Sequence, residues 1–283
     1  MSEPVTAAKC GALLDALRVK KPLVHFITNY VTVNDCANIT LAVGGAPVMS
    51  DQPDDAAEIC RLASALVFNI GTPGDRTLEA MLRAGKAANE AGIPVVLDPV
   101  GAGASSFRNR LLEKLLEEVK FAAVKGNISE IRFLASGTGK SMGVDASKDD
   151  IALGSDSSAV ARLAAGLSRG IGAVVIVSGR IDVAADGERA YGISNGDAMM
   201  GRLTGTGCMG SGVVASFLGA APSEPLASSI AGMCVMGLAG ELARKKLAPS
   251  SGTGTYRTLL MDEVSCMTGS VLENGVRLSQ IVL

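Results

Sequence analysis

Short, mostly apolar runs alternate along this chain with longer stretches in which apolar residues recur every three or four positions. The runs are Leu23-Val24-His25-Phe26-Ile27, Ala46-Pro47-Val48-Met49, Ala65 to Ile70, Val95-Val96-Leu97, Phe121 to Val124 and Ala173 to Val177. All but Phe121 to Val124, which lies between two lysines, are bounded on at least one side by Gly, Pro or Ser, which is the pattern of buried strands. Helical spacing appears over 5–18 (Val5, Leu13, Leu14, Leu17), 34–43, 75–91, 127–135 and 159–167, and in Leu111, Leu112, Leu115, Leu116 and Val119. Gly44-Gly45 supplies a helix stop. Strands alternating with helices predict an α/β fold with a mostly parallel central sheet flanked by helices. Ile181 to Ala185 and Glu188 to Ile193, joined by Asp186-Gly187, predict a hairpin at the edge of that sheet. From residue 207 the pattern is helical, over about 207–219, 222–247 and 253–274. No internal repeat or linker interrupts the rhythm, so one domain is expected over 1–283. Residues 136–157, rich in Gly, Ser, Lys and Asp, predict a mobile excursion.

Composition narrows the class. With 48% hydrophobic residues the 283-residue chain has ample material for a core, and with a net charge of −2 it has no basic patch for nucleic acid. Six cysteines without a C-x-x-C pair and a single histidine make a structural zinc site a poor match. The first residues carry no basic and then apolar leader, and no run of about 18 apolar residues suggests a membrane span. The expectation is a cytoplasmic protein in a reducing compartment.

One stretch carries the candidate chemistry, Leu203-Thr204-Gly205-Thr206-Gly207-Cys208-Met209-Gly210-Ser211-Gly212, read as a loop entering a helix. Its glycines permit close backbone approach, and the first helical turn offers N–H groups to an anion. Cys208 in that turn is expected to have its thiol pKa lowered by the helix dipole; the alternative is a buried, inert cysteine. The letters also spell G-x-G-x-x-G, but no strand precedes them and no acid follows at the required distance, so a dinucleotide site is rejected. Gly137-Thr-Gly-Lys140-Ser141 likewise fails as a phosphate loop, because Leu134 stands where glycine is needed.

In open parallel sheets ligands bind beyond the carboxyl ends of the strands. Asn29, Asp98, Lys125-Gly126-Asn127 and Ser178 are all expected there. Taken singly, Asp98 could begin a turn, Lys125 could be a solvated cation and Ser178 a capping hydroxyl. Glu130 follows Asn127 by three residues on the same helix face, so Asp98, Asn127 and Glu130 could hold Mg²⁺ through waters; N-x-x-E is equally an N-capping pattern.

These blocks resemble the hydroxyethylthiazole kinase family of the ribokinase-like superfamily. Thr28-Asn29-Tyr30-Val31 with Asn34 and Ala37-Asn38, and Gly44-Gly45-Ala46-Pro47-Val48-Met49, look like its N-terminal signature. Asp98-Pro99-Val100-Gly101-Ala102-Gly103, Lys125-Gly126-Asn127-Ile128-Ser129-Glu130 and Thr204-Gly205-Thr206-Gly207-Cys208 match later blocks in the same order. The resemblance covers nearly the whole chain and implies a three-layer sandwich. It also implies transfer of the ATP γ-phosphoryl group to the primary hydroxyl of 4-methyl-5-(2-hydroxyethyl)thiazole, a thiamine-salvage step, in a homotrimer with sites between subunits. By motif position it implies Cys208 as base, Met49, Gly205 and Asn29 as substrate contacts, Lys125, Ser178 and Asn127 as ATP contacts, and Asp98 and Glu130 around Mg²⁺. Lys125 stands where the family often has arginine, and Cys208 where most of the superfamily has aspartate. Two other activities fit part of the pattern: a nucleotide-dependent NAD(P)H-hydrate dehydratase and a catalytically silent nucleotide-binding sensor. The N-terminal block argues against the first, and retained Cys208, Asp98 and Glu130 against the second.

Overall fold

A continuous nine-stranded sheet forms the centre of the computed structural model, which describes residues 3–137 and 156–283. Most of the excursion expected over 136–157, and the Gly137 to Ser141 run beyond its first residue, lie outside the described residues. The strands are β1 (Leu23–Ile27), β2 (Ala46–Met49), β3 (Ala65–Asn69), β4 (Val95–Asp98), β5 (Ala123–Asn127), β6 (Val174–Ser178), β7 (Asp182–Ala185), β8 (Ala190–Ile193) and β9 (Leu278–Ile281). Their order is β2-β1-β3-β4-β5-β6-β7-β8-β9. Pairings among β1 to β6 are parallel, and β7, β8 and β9 join antiparallel.

Side-chain alternation along the strands sorts the core into two layers. Val67, Val96, Ala123, Val174 and Ile176 meet one set of helices; Leu66, Phe68, Val95, Leu97, Val124 and Val175 meet the other. The first set is α1 (Ala7–Lys20), α2 (Val33–Val43), α8 (Thr206–Ala220), α9 (Pro225–Lys246), α10 (Thr253–Cys266) and α11 (Gly269–Gly275). The second is α3 (Pro53–Leu62), α4 (Asp75–Ala91), α5 (Ser106–Glu118), α6 (Ile128–Ala135) and α7 (Ser157–Ile171). Each Leu, Ile, Val or Phe that is fully buried contributes roughly 1.5–3 kcal/mol against an exposed reference.

Helix α8 lies directly on the sheet, against β1, β3 and β4. It is buried without a break from Met209 to Gly219, and its small residues let it lie close on the sheet: a Cβ on Gly212 would stand 3.1 Å from the Phe26 ring. Helix α9 packs behind it, with Gly232 so near Val214 that a Cβ would come within 2.9 Å of that residue's Cα. By length and composition α9 could cross a bilayer, but 89% of its apolar window is buried inside the protein.

Several boundaries depart from expectation. Helix α3 was not predicted, because Pro-Asp-Asp-Ala-Ala-Glu-Ile-Cys-Arg-Leu presents only Pro53, Ala56 and Cys60 to the core. The helical stretch from 253 breaks at Met267, and Thr268 caps α11 by accepting from the Val271 N–H. Strand β9 follows, half-exposed and too poorly patterned to stand out. Strand β5 extends to Asn127, since β6 supplies partners for Lys125 and Gly126, so both lie inside the strand rather than after it.

Candidate active site

Register aligns the polar strand ends. Asn69 lies opposite Asp98, and Asn127 opposite Ser178. Asn69 follows Val67 by two residues, Asp98 follows Val96 and Lys125 follows Ala123, so alternation turns all three towards the α8 face. The glycine loop delivers the start of α8 to the same place. Gly205 caps the helix at φ +90°, where a side chain would be strained, and a Cβ there would stand 2.8 Å from Thr32 Cγ2. Behind the loop, Arg257 of α10 pairs with Asp35 of α2, its Nε donating to Oδ1 at 2.7 Å.

Around Cys208 the side chains form one hydrogen-bonded network. Asn69 Nδ2 donates to Asp98 Oδ2 at 2.7 Å and to Cys208 Sγ at 3.2 Å. Asn69 Oδ1 accepts from Asn29 Nδ2 at 2.8 Å and from the Gly71 N–H at 2.9 Å. Asn29 Nδ2 also reaches Cys208 Sγ at 3.5 Å, while Asn29 Oδ1 accepts from Thr32 N and Oγ1 at 3.0 and 3.1 Å. Ser211 Oγ donates to Asp98 Oδ2 at 2.9 Å. The Arg108 guanidinium ties the loops after β3 and β4 together, donating to the Ile70 carbonyl and, at 2.9 Å each, to those of Gly71 and Val100.

The electrostatics correct one expectation. Cys208 does sit in the first turn of α8, but its thiol pKa is raised: burial and the nearby Asp98 charge outweigh the stabilising bonds from Thr32, Asn69 and Asn29. Neighbouring Cys36 is pushed up to about 12, chiefly by burial. Burial also raises Asp98, against the opposing Lys125 charge and the Ser211 and Asn69 bonds.

Lys125 is no solvated cation. It is 2% exposed, and its Nζ donates to the Gly207 carbonyl at 2.9 Å. With Ser178, Gly207 and Gly210 it lines a cavity of about 500 Å³ that continues past Asp182, Asn195 to Ala198, Met200, Met233 and Met236. Burial lifts Asp182 to about 6, although the Gly179 N–H and the Lys125 charge oppose it. Ser178 Oγ donates to the Gly126 carbonyl at 3.3 Å. Asn127 does not line this cavity.

Asn127 and Glu130 form a complete capping box at the start of α6. Asn127 Oδ1 accepts from Glu130 N at 3.0 Å and Glu130 Oε2 from Asn127 N at 2.8 Å, while Glu130 Oε1 accepts from Gly101 N at 3.0 Å. Among the described residues no three His, Cys, Asp or Glu side chains cluster as a metal cage. The donor set still suits a hard cation that keeps its waters: both bonds to Asp98 fall on Oδ2, which leaves Oδ1 able to ligate, and Glu130 faces the same strand ends. Met49 ends the edge strand β2 beside Phe26 and is 36% exposed; Tyr30, Val31 and Leu41 are exposed as well. Asn69, Ser211, Thr32, Arg108 and Asp182 were not foreseen. For Asn69 the signal was present, a polar residue closing an apolar strand, as it was for Asp98.

A mostly parallel three-layer sandwich, with a glycine loop leading a buried helix over the strand ends, defines the ribokinase-like class of fold. A pyridoxal kinase from Staphylococcus aureus shares the fold at a TM-score of 0.59 and 13% identity, over 92% of this chain and 99% of that one. The chain belongs to the hydroxyethylthiazole kinase family, whose sequence profile matches residues 14–270. A hydroxyethylthiazole kinase from Clostridium beijerinckii is 45% identical over 273 residues, 96% of this chain and 98% of the relative. The structure of a hydroxyethylthiazole kinase from Pyrococcus horikoshii OT3 matches at a TM-score of 0.83 with 32% identity, covering 96% of this chain and 99% of that one.

Proposed function

We propose that this chain is an ATP-dependent kinase that phosphorylates the primary hydroxyl of 4-methyl-5-(2-hydroxyethyl)thiazole for thiamine salvage. The observation that carries the reading is the meeting, at the head of α8, of the glycine loop, the buried Lys125 and the Asn69–Asp98–Cys208 network. The open N–H groups of the first α8 turn receive the moving phosphoryl group, and Lys125 and Ser178 face the nucleotide from the adjoining cavity. Asp98 and Glu130 would hold Mg²⁺, which supplies neutralisation of the phosphate oxygens. Asn29, Gly205 and Met49 contact the thiazole. The alcohol oxygen bonds to phosphorus as the bond to ADP breaks, and the alcohol's proton is released to solvent. Such transfer needs alignment and charge stabilisation more than a strong base. Cys208, with its raised pKa, serves by orienting the hydroxyl.

Exposed Met49, Tyr30 and Val31 support a homotrimer in which a neighbouring subunit completes the thiazole pocket. A coupled ADP-release screen with hydroxyethylthiazole, hydroxymethylpyrimidine and pyridoxal tests the activity. Release dependent on the thiazole is expected; equal release without any alcohol would sink the reading.

A further inference from the structure

Asn69 is 2% exposed and uses every hydrogen-bonding position of its amide. Its orientation follows from its partners. The Gly71 N–H can only donate, so the amide atom 2.9 Å away is the oxygen, and the nitrogen must face Asp98 and Cys208. The Thr32 N–H fixes Asn29 in the same way, which turns Asn29 Nδ2 towards the oxygen of Asn69 and the sulfur. Two backbone N–H groups thus lock two amides, and the amides put two N–H donors on one sulfur. Thr32 is the third side-chain partner of the same sulfur, so Cys208 Sγ is held from three sides at the head of α8.

We propose that Asn69 is a positioning residue for phosphoryl transfer: it fixes the separation of Cys208 Sγ and Asp98 and so sets where the sulfur meets the acceptor alcohol. The proposal rests on the thiazole kinase reading. It requires Asn69 to act through Cys208, so that the two residues behave as one unit when removed.

The test is a double-mutant cycle of Asn69→Ala and Cys208→Ala in the coupled ADP-release assay, with ATP binding measured separately. Asn69→Ala alone should lower kcat by about 100-fold while KM for the thiazole and Kd for ATP stay within about threefold. In the Cys208→Ala background the same change should cost less than about threefold more. A general loosening of the fold would move KM and Kd too, and its cost would multiply with that of Cys208→Ala; either result overturns the proposal. Should Asn69→Ala fail to fold, Asn69→Asp decides. It has the same size and keeps the oxygen for Gly71 and Asn29 but lacks the donor pair; a loss of about tenfold or more in kcat is expected, and a rate equal to the parent's overturns the proposal. A parent chain that leaves hydroxyethylthiazole unphosphorylated removes the activity reading and this proposal together. Normal parent turnover with an unaffected Asn69→Ala removes the proposal alone.

Discussion

Cys208 is surrounded by donors yet holds its proton, because burial and a nearby carboxylate outweigh the bonds it receives. This makes the sulfur a poor base in the resting chain and a good anchor. Cys208→Ala should therefore lose most turnover while ATP affinity, if it rests on the proposed nucleotide cavity that Cys208 does not line, stays within about threefold in calorimetry. Cys208→Asp should retain part of the rate, since a carboxylate can hold the same hydroxyl. Asp182 gives a second prediction at this scale. With a folded pKa of about 6 against an ordinary 3.8, it keeps its proton in the folded chain where the unfolded chain has released it. Stability then falls as pH rises through that window. Asp182→Asn cannot ionise, so its Tm should exceed the parent's at pH 8, and the gap should close near pH 4; a constant gap would show that Asp182 does not titrate in this window.

At the scale of the element, the junction of β5 and α6 joins packing to chemistry. Glu130 closes the capping box and also holds the loop after β4 through Gly101. Glu130→Gln replaces one carboxylate oxygen by an N–H₂ group that faces a backbone donor, a loss on the order of 1 kcal/mol. It should lower Tm by a few degrees and raise the metal concentration needed for half-maximal rate; an unchanged metal titration would confine Glu130 to the cap. The same junction shows how far sequence patterning reached. Helix α4 was predicted with both of its ends, because Gly74 and Gly92 bracket an amphipathic run. The glycine loop and Asp98 were legible because chemistry-bearing residues interrupt apolar runs. Helix α3, whose buried face is Pro, Ala and Cys, and strand β9, with two exposed positions out of four, carried too little contrast. The Cys208 environment was beyond patterning altogether: its donors come from Asn29 and Asn69 on other elements, and only the assembled sheet brings them to the sulfur.

Across the whole molecule, the sheet of the described residues ends at β2 on one side and β9 on the other, and the β2 edge leads to the side of the site where Met49, Tyr30 and Val31 are exposed. If a neighbouring subunit closes the thiazole pocket there, mixing Met49→Arg chains with Cys208→Ala chains should restore activity, since some interfaces then carry neither defect. No recovery despite demonstrated subunit exchange would mean that each pocket is built within one chain. The bond from Asn69 to Cys208 joins residues 139 positions apart, and that from Ser211 to Asp98 residues 113 apart. Contacts at such separation form late, after the entropy of closing long loops has been met. During refolding from denaturant, helical ellipticity should therefore return before any ADP is released, and the lag between the two signals times the docking of α8 onto the sheet.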